Sequence, residues 1–247
     1  MISHLKTVLR RNAFLFRISR SVAYSLSRLY GITIGKLVRP FKVKAYLDRN
    51  EIRKLHIGCG DNYLDGWLNT DGFQRSPKAV YMDATAAFPL QENAWDYVFS
   101  EHMIEHIHLI DAYTMLEEAF RCLKPGGIIR IATPDLDNLV KLLDPLNKDK
   151  VALEYIDHLG SSCLPTFDFN SRGIAFNLTL REWGHLFIFD FDTMKGILEK
   201  AGFTNVVRRE VFKSDHDALS NLEKHGDAIG SEEFNLLETM IVEAVKP

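Results

Sequence analysis

Three absences bound this 247-residue chain. It has only three cysteines, Cys59, Cys122 and Cys163, with no Cys-x-x-Cys pair among them. That excludes the disulfide framework of a small secreted domain and points to a reducing, cytoplasmic compartment. No apolar stretch approaches the length that spans a bilayer, so a polytopic membrane protein is excluded. Residues 1–45 contain no Asp or Glu, yet carry ten Lys or Arg from Lys6 to Lys44, leaving 20 basic against 33 acidic residues in the remainder. So acidic a body argues against nucleic acid as a partner, because neutralisation of phosphates by Lys and Arg supplies most non-specific affinity. Internal repeats and low-complexity tracts are lacking as well. What is present, 46% apolar and 26% charged residues, is the make-up of a soluble globular chain with one large core.

Within the basic arm, Leu15, Ile18, Val22, Leu26 and Leu29 recur at steps of three and four, and Arg10, Arg11, Arg17, Arg20 and Arg28 fill much of the rest. The pattern is that of a basic amphipathic helix. Three readings of it stay open: an interfacial helix on an anionic membrane surface through residues 1–45, a transit peptide, and a helix packing its stripe on the domain. Pro40 is expected to end this unit. The chain then divides into an arm and linker over residues 1–50 and one domain over 51–247.

From Arg53 onward strands and helices alternate. Strands are expected at Leu55–Ile57, Leu68–Thr70, Ala79–Met82, Tyr97–Phe99, Ile128–Ala132, Asn205–Val211 and Thr239–Val245. A helix over Ile110–Leu123, with Tyr113, Leu116, Phe120 and Leu123 on one face, is stopped by Lys124-Pro-Gly-Gly127, and another over Thr193–Ala201 is closed by Gly202. This is the signature of a doubly wound α/β fold with a seven-stranded, mostly parallel sheet, whose ligands sit at the carboxyl ends of the strands. Residues 136 to about 190 interrupt the rhythm with aromatic and polar sequence and are read as a substrate lid, with a packing subdomain as the alternative. The stretch from Ser214 to Glu233 reads as helix and solvated loop.

The run Lys54-Leu-His-Ile-Gly-Cys-Gly60 places two glycines directly after the first strand, where bare main chain can turn tightly and approach a ligand. Asp71, ending the second strand, is placed to accept both hydroxyls of a ribose, and Asp83, past the third, the exocyclic amine of an adenine. The ordered set points to a nucleoside-cofactor site.

These segments, LHIGCG (55–60), GWLNTD (66–71), VYMDAT (80–85), WDYVFSEHMIEHI (95–107), LKPGGIIRIATPD (123–135) and LEKAGF (198–203), resemble class I S-adenosylmethionine-dependent methyltransferases over about Arg53 to Val245. The pairing of GCG with GWLNTD is similar to the predicted methyltransferases of bacterial surface-polysaccharide synthesis. The resemblance implies a Rossmann-like fold and S-adenosylmethionine as cofactor. It also implies that Gly58, Cys59 and Gly60 line the methionine portion, Asp71 the ribose, Asp83 and Ala84 the adenine, and Ser100, Glu101 and His102 the sulfonium side. The chain departs from the pattern in lacking a third glycine, and Gly60 to Asp71 is too short for a full helix plus strand, so the first crossover is expected to be truncated.

His102-Met-Ile-Glu-His106 also matches the His-x-x-Glu-His zinc-peptidase pattern, which needs both imidazoles one helical turn apart. No third-ligand motif follows it, and no metal is expected. A hydroxyl acceptor would require a general base, for which His102, His185, His106 and Asp135 are the candidates, the first two preferred. Arg181 and Trp183 are read as groups that hold an acidic function and stack on a sugar ring. The expected activity is methylation of a hydroxyl of a glycan or lipid-linked glycan near the inner membrane face. The alternatives are a small-molecule or quinone-type methyltransferase and a catalytically silent cofactor-binding scaffold.

Overall fold

The computed structural model describes residues 29, 31–73, 76–164, 166 and 169–247. The apolar stripe from Leu15 to Leu26, and most of the basic arm with it, lies outside the described residues. Seven strands form the sheet: β1 Lys54–Ile57, β2 Leu68–Asp71, β3 Val80–Tyr81, β4 Trp95–Glu101, β5 Leu123–Pro134, β6 Thr204–Arg209 and β7 Thr239–Val245. Their spatial order is β3-β2-β1-β4-β5-β7-β6. The first five run parallel, and β7 is antiparallel to both neighbours. Strand order reverses between β1 and β4, and that switch opens a crevice at their carboxyl ends.

The central strands are buried on both faces, as crossover helices require of a parallel sheet. Leu55, Ile57, Val98, Ile129, Ile131 and Val242 share one core with Trp95 and with the helix α2, Leu109–Cys122. The buried stripe of that helix is Ala112, Met115, Leu116, Ala119 and Cys122. Of the residues expected to share a face with Leu116, Phe120 packs on the margin of the core against Phe203, and half-buried Tyr113 reaches the Lys200 carbonyl. The reason is small residues: Ala112 and Ala119 let the helix lie close to the sheet, and its aromatics then fill the gap to the neighbouring helix.

Pro40 does not end the N-terminal helix. It lies inside α1, Lys36–Leu47. The hydrogen bond it forfeits is outweighed by docking. Val43, Tyr46 and Leu47 pack against the core, the Tyr46 ring stacks on Trp95 at 5.7 Å, and the Tyr46 hydroxyl accepts from Lys54 N at 2.8 Å. Among the described residues, no helix is long and apolar enough to cross a membrane.

The interruption after β5 is helical. It holds α3 Leu136–Leu142, α4 Lys150–Cys163 and α5 Arg172–Arg181, capped by side chains of Asp135, Asp149 and Ser171 respectively. These helices carry a second core of Leu139, Tyr155, Ile156, Leu159, Ala175 and Leu178, joined by Phe234 and Leu237. The helix α6, Phe191–Lys200, then leads to β6, and two short helices, α7 His225–Ile229 and α8 Glu232–Glu238, precede β7.

One buried ionic cluster ties the late segments to the sheet. Arg130 of β5 is fully buried; its Nε donates to Glu223 at 2.7 Å, and its Nη1 to Glu243 at 2.6 Å and to the Lys213 carbonyl at 2.9 Å. Removing the guanidinium leaves two carboxylates facing each other without water. Arg130→Met is therefore expected to lower unfolding free energy by about 3–5 kcal/mol, read from urea denaturation at pH 7.

Candidate functional site

The loop after β1 is shaped by two glycines in the left-handed region, Gly58 at φ +68° and Gly60 at φ +51°. They serve different ends. A Cβ on Gly58 would lie 2.1 Å from Met103 Cγ, so this glycine is required by packing rather than by a ligand. A Cβ on Gly60 would meet no protein atom within 4 Å and would project into open space, as a site for a close-lying ligand needs. No helix forms between β1 and β2. The polar main chain of this truncated crossover is satisfied by the side chains that follow it. Asn69 accepts from Leu64 N and donates to the carbonyls of Leu64 and Trp67. Asp71 accepts from Gly60 N at 2.8 Å through Oδ2 and from Phe73 N at 2.5 Å through Oδ1.

Above this loop lies a cleft of about 660 Å³ lined by His56, Gly58, Cys59, Gly60, Asn62, Tyr63, Lys78, Glu101 and His102, and closed by Lys224, His225, Asp227 and Ala228. Glu101 is its clamp. One oxygen accepts from Asn62 Nδ2 at 3.0 Å and the other from the main-chain N–H groups of Lys224 and His225 at 2.6 and 2.9 Å. Burial, with the nearby Asp71 charge, pushes the Cys59 thiol up to about 12, so it presents a neutral sulfur to the cleft. An adenosyl cofactor with a zwitterionic methionine tail fits this donor set: bare main chain at Gly60, the Asp71 carboxylate behind it, and the ammonium groups of Lys78 and Lys224 where a helix N-terminus is missing.

Other expected cofactor residues fall elsewhere. Asp83 is exposed and its Oδ1 accepts from both the main chain and the hydroxyl of Thr85; neither it nor Ala84 lines the cleft. Ser100 is buried, and its hydroxyl has no hydrogen-bond partner among the described residues.

A second cavity of about 560 Å³ opens on the other side of His102 and His225, which with Ala228 line both spaces. Their rings stack at 3.6 Å between centroids. His102 leaves β4 with φ +43°, a strained conformation for a side-chain-bearing residue that aims its ring at this junction. Its Nε2 lies 3.0 Å from Thr239 Oγ1, whose own hydrogen goes to Asn235 Oδ1, so the imidazole is the donor. Its Nδ1 sits 3.2 Å from Glu105 Oε1. Burial alone would lower the His102 pKa, but the Glu105, Glu238 and Glu101 carboxylates outweigh it and hold it above the usual histidine value. Burial likewise works to raise the pKa of Glu105, and His102 and His106 bring it below the usual carboxylate range. His102, expected as a base, thus donates through Nε2 and turns Nδ1 toward the Glu105 carboxylate. His225 differs: its Nε2 hydrogen-bonds Glu238, whose second oxygen accepts from the Tyr155 hydroxyl, and its Nδ1 is left over.

The remaining candidates divide. His185 and His106 line the second cavity with their rings 4.9 Å apart. His185 Nδ1 donates to the Thr179 carbonyl at 2.5 Å, leaving Nε2 as an acceptor, and burial lowers its pKa. Trp183 also lines the cavity, 53% exposed, whereas Arg181 does not. Asp135 is fully buried, caps α3 through Asp137 N and pairs with Arg208, so it is a structural acid outside both spaces. The His102–His106 segment is no helix of the zinc-peptidase kind; a strand end and a single turn of 3₁₀-helix, Ile104–His106, send the two imidazoles apart. His225 and Glu238 were not anticipated. They lie in and beside the stretch read as solvated loop, and no local pattern marks them.

A family model described as a methyltransferase domain matches residues 36–207, more than half of the chain. The chain belongs to this family of S-adenosylmethionine-dependent methyltransferases. No curated protein matches it in sequence. Among solved structures it is similar to a chain of the complex between the Haloferax volcanii Trm112 methyltransferase activator and a methyltransferase, at 15% identity and a TM-score of 0.45, over 90% of this chain and 97% of that one. It is also similar to a SAM-dependent methyltransferase from Archaeoglobus fulgidus (18% identity, TM-score 0.44, 86% and 94% covered). A third is an S-adenosylmethionine-dependent methyltransferase from Mesorhizobium loti (13%, 0.45, 82% and 96%). At such distances these likenesses carry nothing about a substrate.

His56, in β1 under the cleft, gives the site an acid limit. Burial lowers its pKa to about 4, partly offset by its hydrogen bond to Asn69. The folded chain keeps this ring neutral while the unfolded chain protonates it below about 6.5, so stability present above that pH is lost as pH falls toward 4, by about 3 kcal/mol in all. Unfolding free energies across pH 4–7 are expected to show this limb, flattened in His56→Gln.

Proposed function

We propose that the protein methylates a hydroxyl group of a glycan or lipid-linked glycan bound in the second cavity. The observation that supports this reading is the shared wall: His102 and His225 line both the cofactor-shaped cleft and the second cavity, so a donor in one and an acceptor in the other meet at that pair. S-adenosylmethionine supplies an already activated methyl carbon, and the protein's task is alignment and removal of the acceptor proton. His225 is the base this reading assigns. Glu238 holds its Nε2 side, which fixes the tautomer and leaves Nδ1 to accept a proton, the arrangement by which a buried carboxylate orients a catalytic imidazole. His102, which donates through Nε2 and pairs with Glu105, contributes positive charge beside it. The imidazole and carboxylate groups of the cavity, beside the Trp183 ring as a stacking face, suit the hydroxyls and ring face of a sugar, and the apolar remainder of the lining, Leu159 and Ile229 among it, suits the lipid of a lipid-linked one.

The arm supports placement near an anionic membrane. Leu37 and Phe41 of α1 are 73% and 76% exposed beside Lys36 and Lys44, continuing the basic and apolar character of the preceding residues.

Two measurements test the reading. Asp71→Ala is expected to weaken S-adenosylhomocysteine binding in calorimetry by at least tenfold, since charge-assisted bonds contribute about 1.5–3 kcal/mol each; unchanged affinity would remove the ribose role. His225→Ala is expected to lower methyl transfer to a sugar-nucleotide acceptor by about 10²–10⁴-fold with S-adenosylhomocysteine affinity kept within a fewfold. Prenylated phenols methylated in preference to sugars would transfer the assignment to the quinone class.

A further inference from the structure

The second cavity holds a group of side chains that the methyl-transfer reading does not use. Glu105, His106 and His185 present one carboxylate oxygen and two imidazole nitrogens that all lie within 4.8 Å of one another. Glu105 is fully buried and lines the cavity, and its Oε1, with His102 Nδ1 at 3.2 Å, has no hydrogen-bond partner among the described residues. Its other oxygen is held by the Thr133 hydroxyl at 3.0 Å, which aims the carboxylate. His185 donates its Nδ1 hydrogen to the Thr179 carbonyl, so its Nε2 lone pair is the one presented to the group. That outer hydrogen bond is the usual device by which proteins fix the tautomer of a metal-ligating histidine. The His106 ring makes no hydrogen bond among the described residues. Two main-chain bonds, from Leu186 N and Phe187 N to the Glu105 carbonyl, clamp the His185 loop to the Ile104–His106 turn. The three ligands are thereby held together although His185 is distant in sequence.

We infer that Glu105, His106 and His185 form a binding site for one divalent cation of the zinc class, with two imidazoles and one carboxylate as protein ligands and an open position toward the second cavity. Nitrogen and oxygen donors in this ratio suit Zn²⁺ or Co²⁺ and leave a place for an oxygen of a bound hydroxyl or carboxylate ligand. The neighbouring group of His102, His225 and Glu238 also has the composition of a metal site. Most of its atoms are already committed: Nε2 of His102, Nε2 of His225 and both oxygens of Glu238 are hydrogen-bonded within the protein. The inference concerns cation binding alone and stands whether or not the acceptor is a sugar.

The test is titration of the full chain, stripped with a chelator and dialysed, with Co²⁺ and with Zn²⁺. Calorimetry is expected to show one equivalent bound, and Co²⁺ to develop the visible absorption of a low-coordinate histidine-ligated centre. His185→Ala and Glu105→Gln should each weaken binding by at least about tenfold, and His225→Ala should leave it unchanged. Binding of S-adenosylhomocysteine reports that each variant is folded; if Glu105→Gln fails that check, His106→Gln takes its place. Absence of a stoichiometric site in the parent protein overturns the inference, as does binding that is lost in His225→Ala and kept in His185→Ala.

Discussion

Two carboxylates, Glu105 and Glu238, sit nearly out of water at the carboxyl edge of the sheet, each facing an imidazole of a stacked pair. Ionised groups so placed are tolerated only when their charge is met within the protein. The arrangement around them follows from that demand. Thr133, Tyr155, His102 and His225 supply the partners, and Thr239 and Asn235 satisfy the outer nitrogen of His102 in turn. A network of this kind holds its members in one geometry, because moving any one of them strands another buried charge. The wall between the two cavities is this network, and its rigidity makes it a fit place to bring a donor and an acceptor together.

The same logic of satisfaction explains the short path from β1 to β2. A family member with a full crossover helix there satisfies that main chain internally and offers its N-terminus to the cofactor. This chain has no such helix, and Asn69 and Asp71 take over the main-chain bonds. Glu101 then fastens the shortened loop to the start of α7. Lys78 and Lys224 come to line the cleft as a consequence, replacing a fixed dipole with side-chain charge. The buried Arg130 cluster anchors the segment that leads into α7, so the late part of the chain is tied to the centre of the sheet at two points.

The insertion after β5 adds the other half of the site. With a core of its own, it presents Tyr155, Thr179, Trp183 and His185 as a firm wall. A loose loop of similar composition could not hold His185 beside Glu105 and His106, since its side chain would have to be ordered afresh on binding.

The sequence by itself determined the sheet, its order of elements, the family and the cofactor-loop glycines. Those signals are local: short apolar runs, glycines at turns and acids at strand ends are set by backbone geometry within a few residues. β7 was legible to the residue because five of its seven residues are apolar and all but Val245 are buried. The helix through Pro40 was not, since its formation depends on Tyr46 meeting Trp95 across the fold. Only the tertiary structure decided which polar groups do chemistry. It withdrew Asp135 into a cap and an ion pair, turned His102 into a donor, and brought His225 and Glu238 from a polar stretch without pattern to the junction of two cavities. An imidazole's role is set by what lies on each of its nitrogens, and those partners here come from segments more than a hundred residues apart.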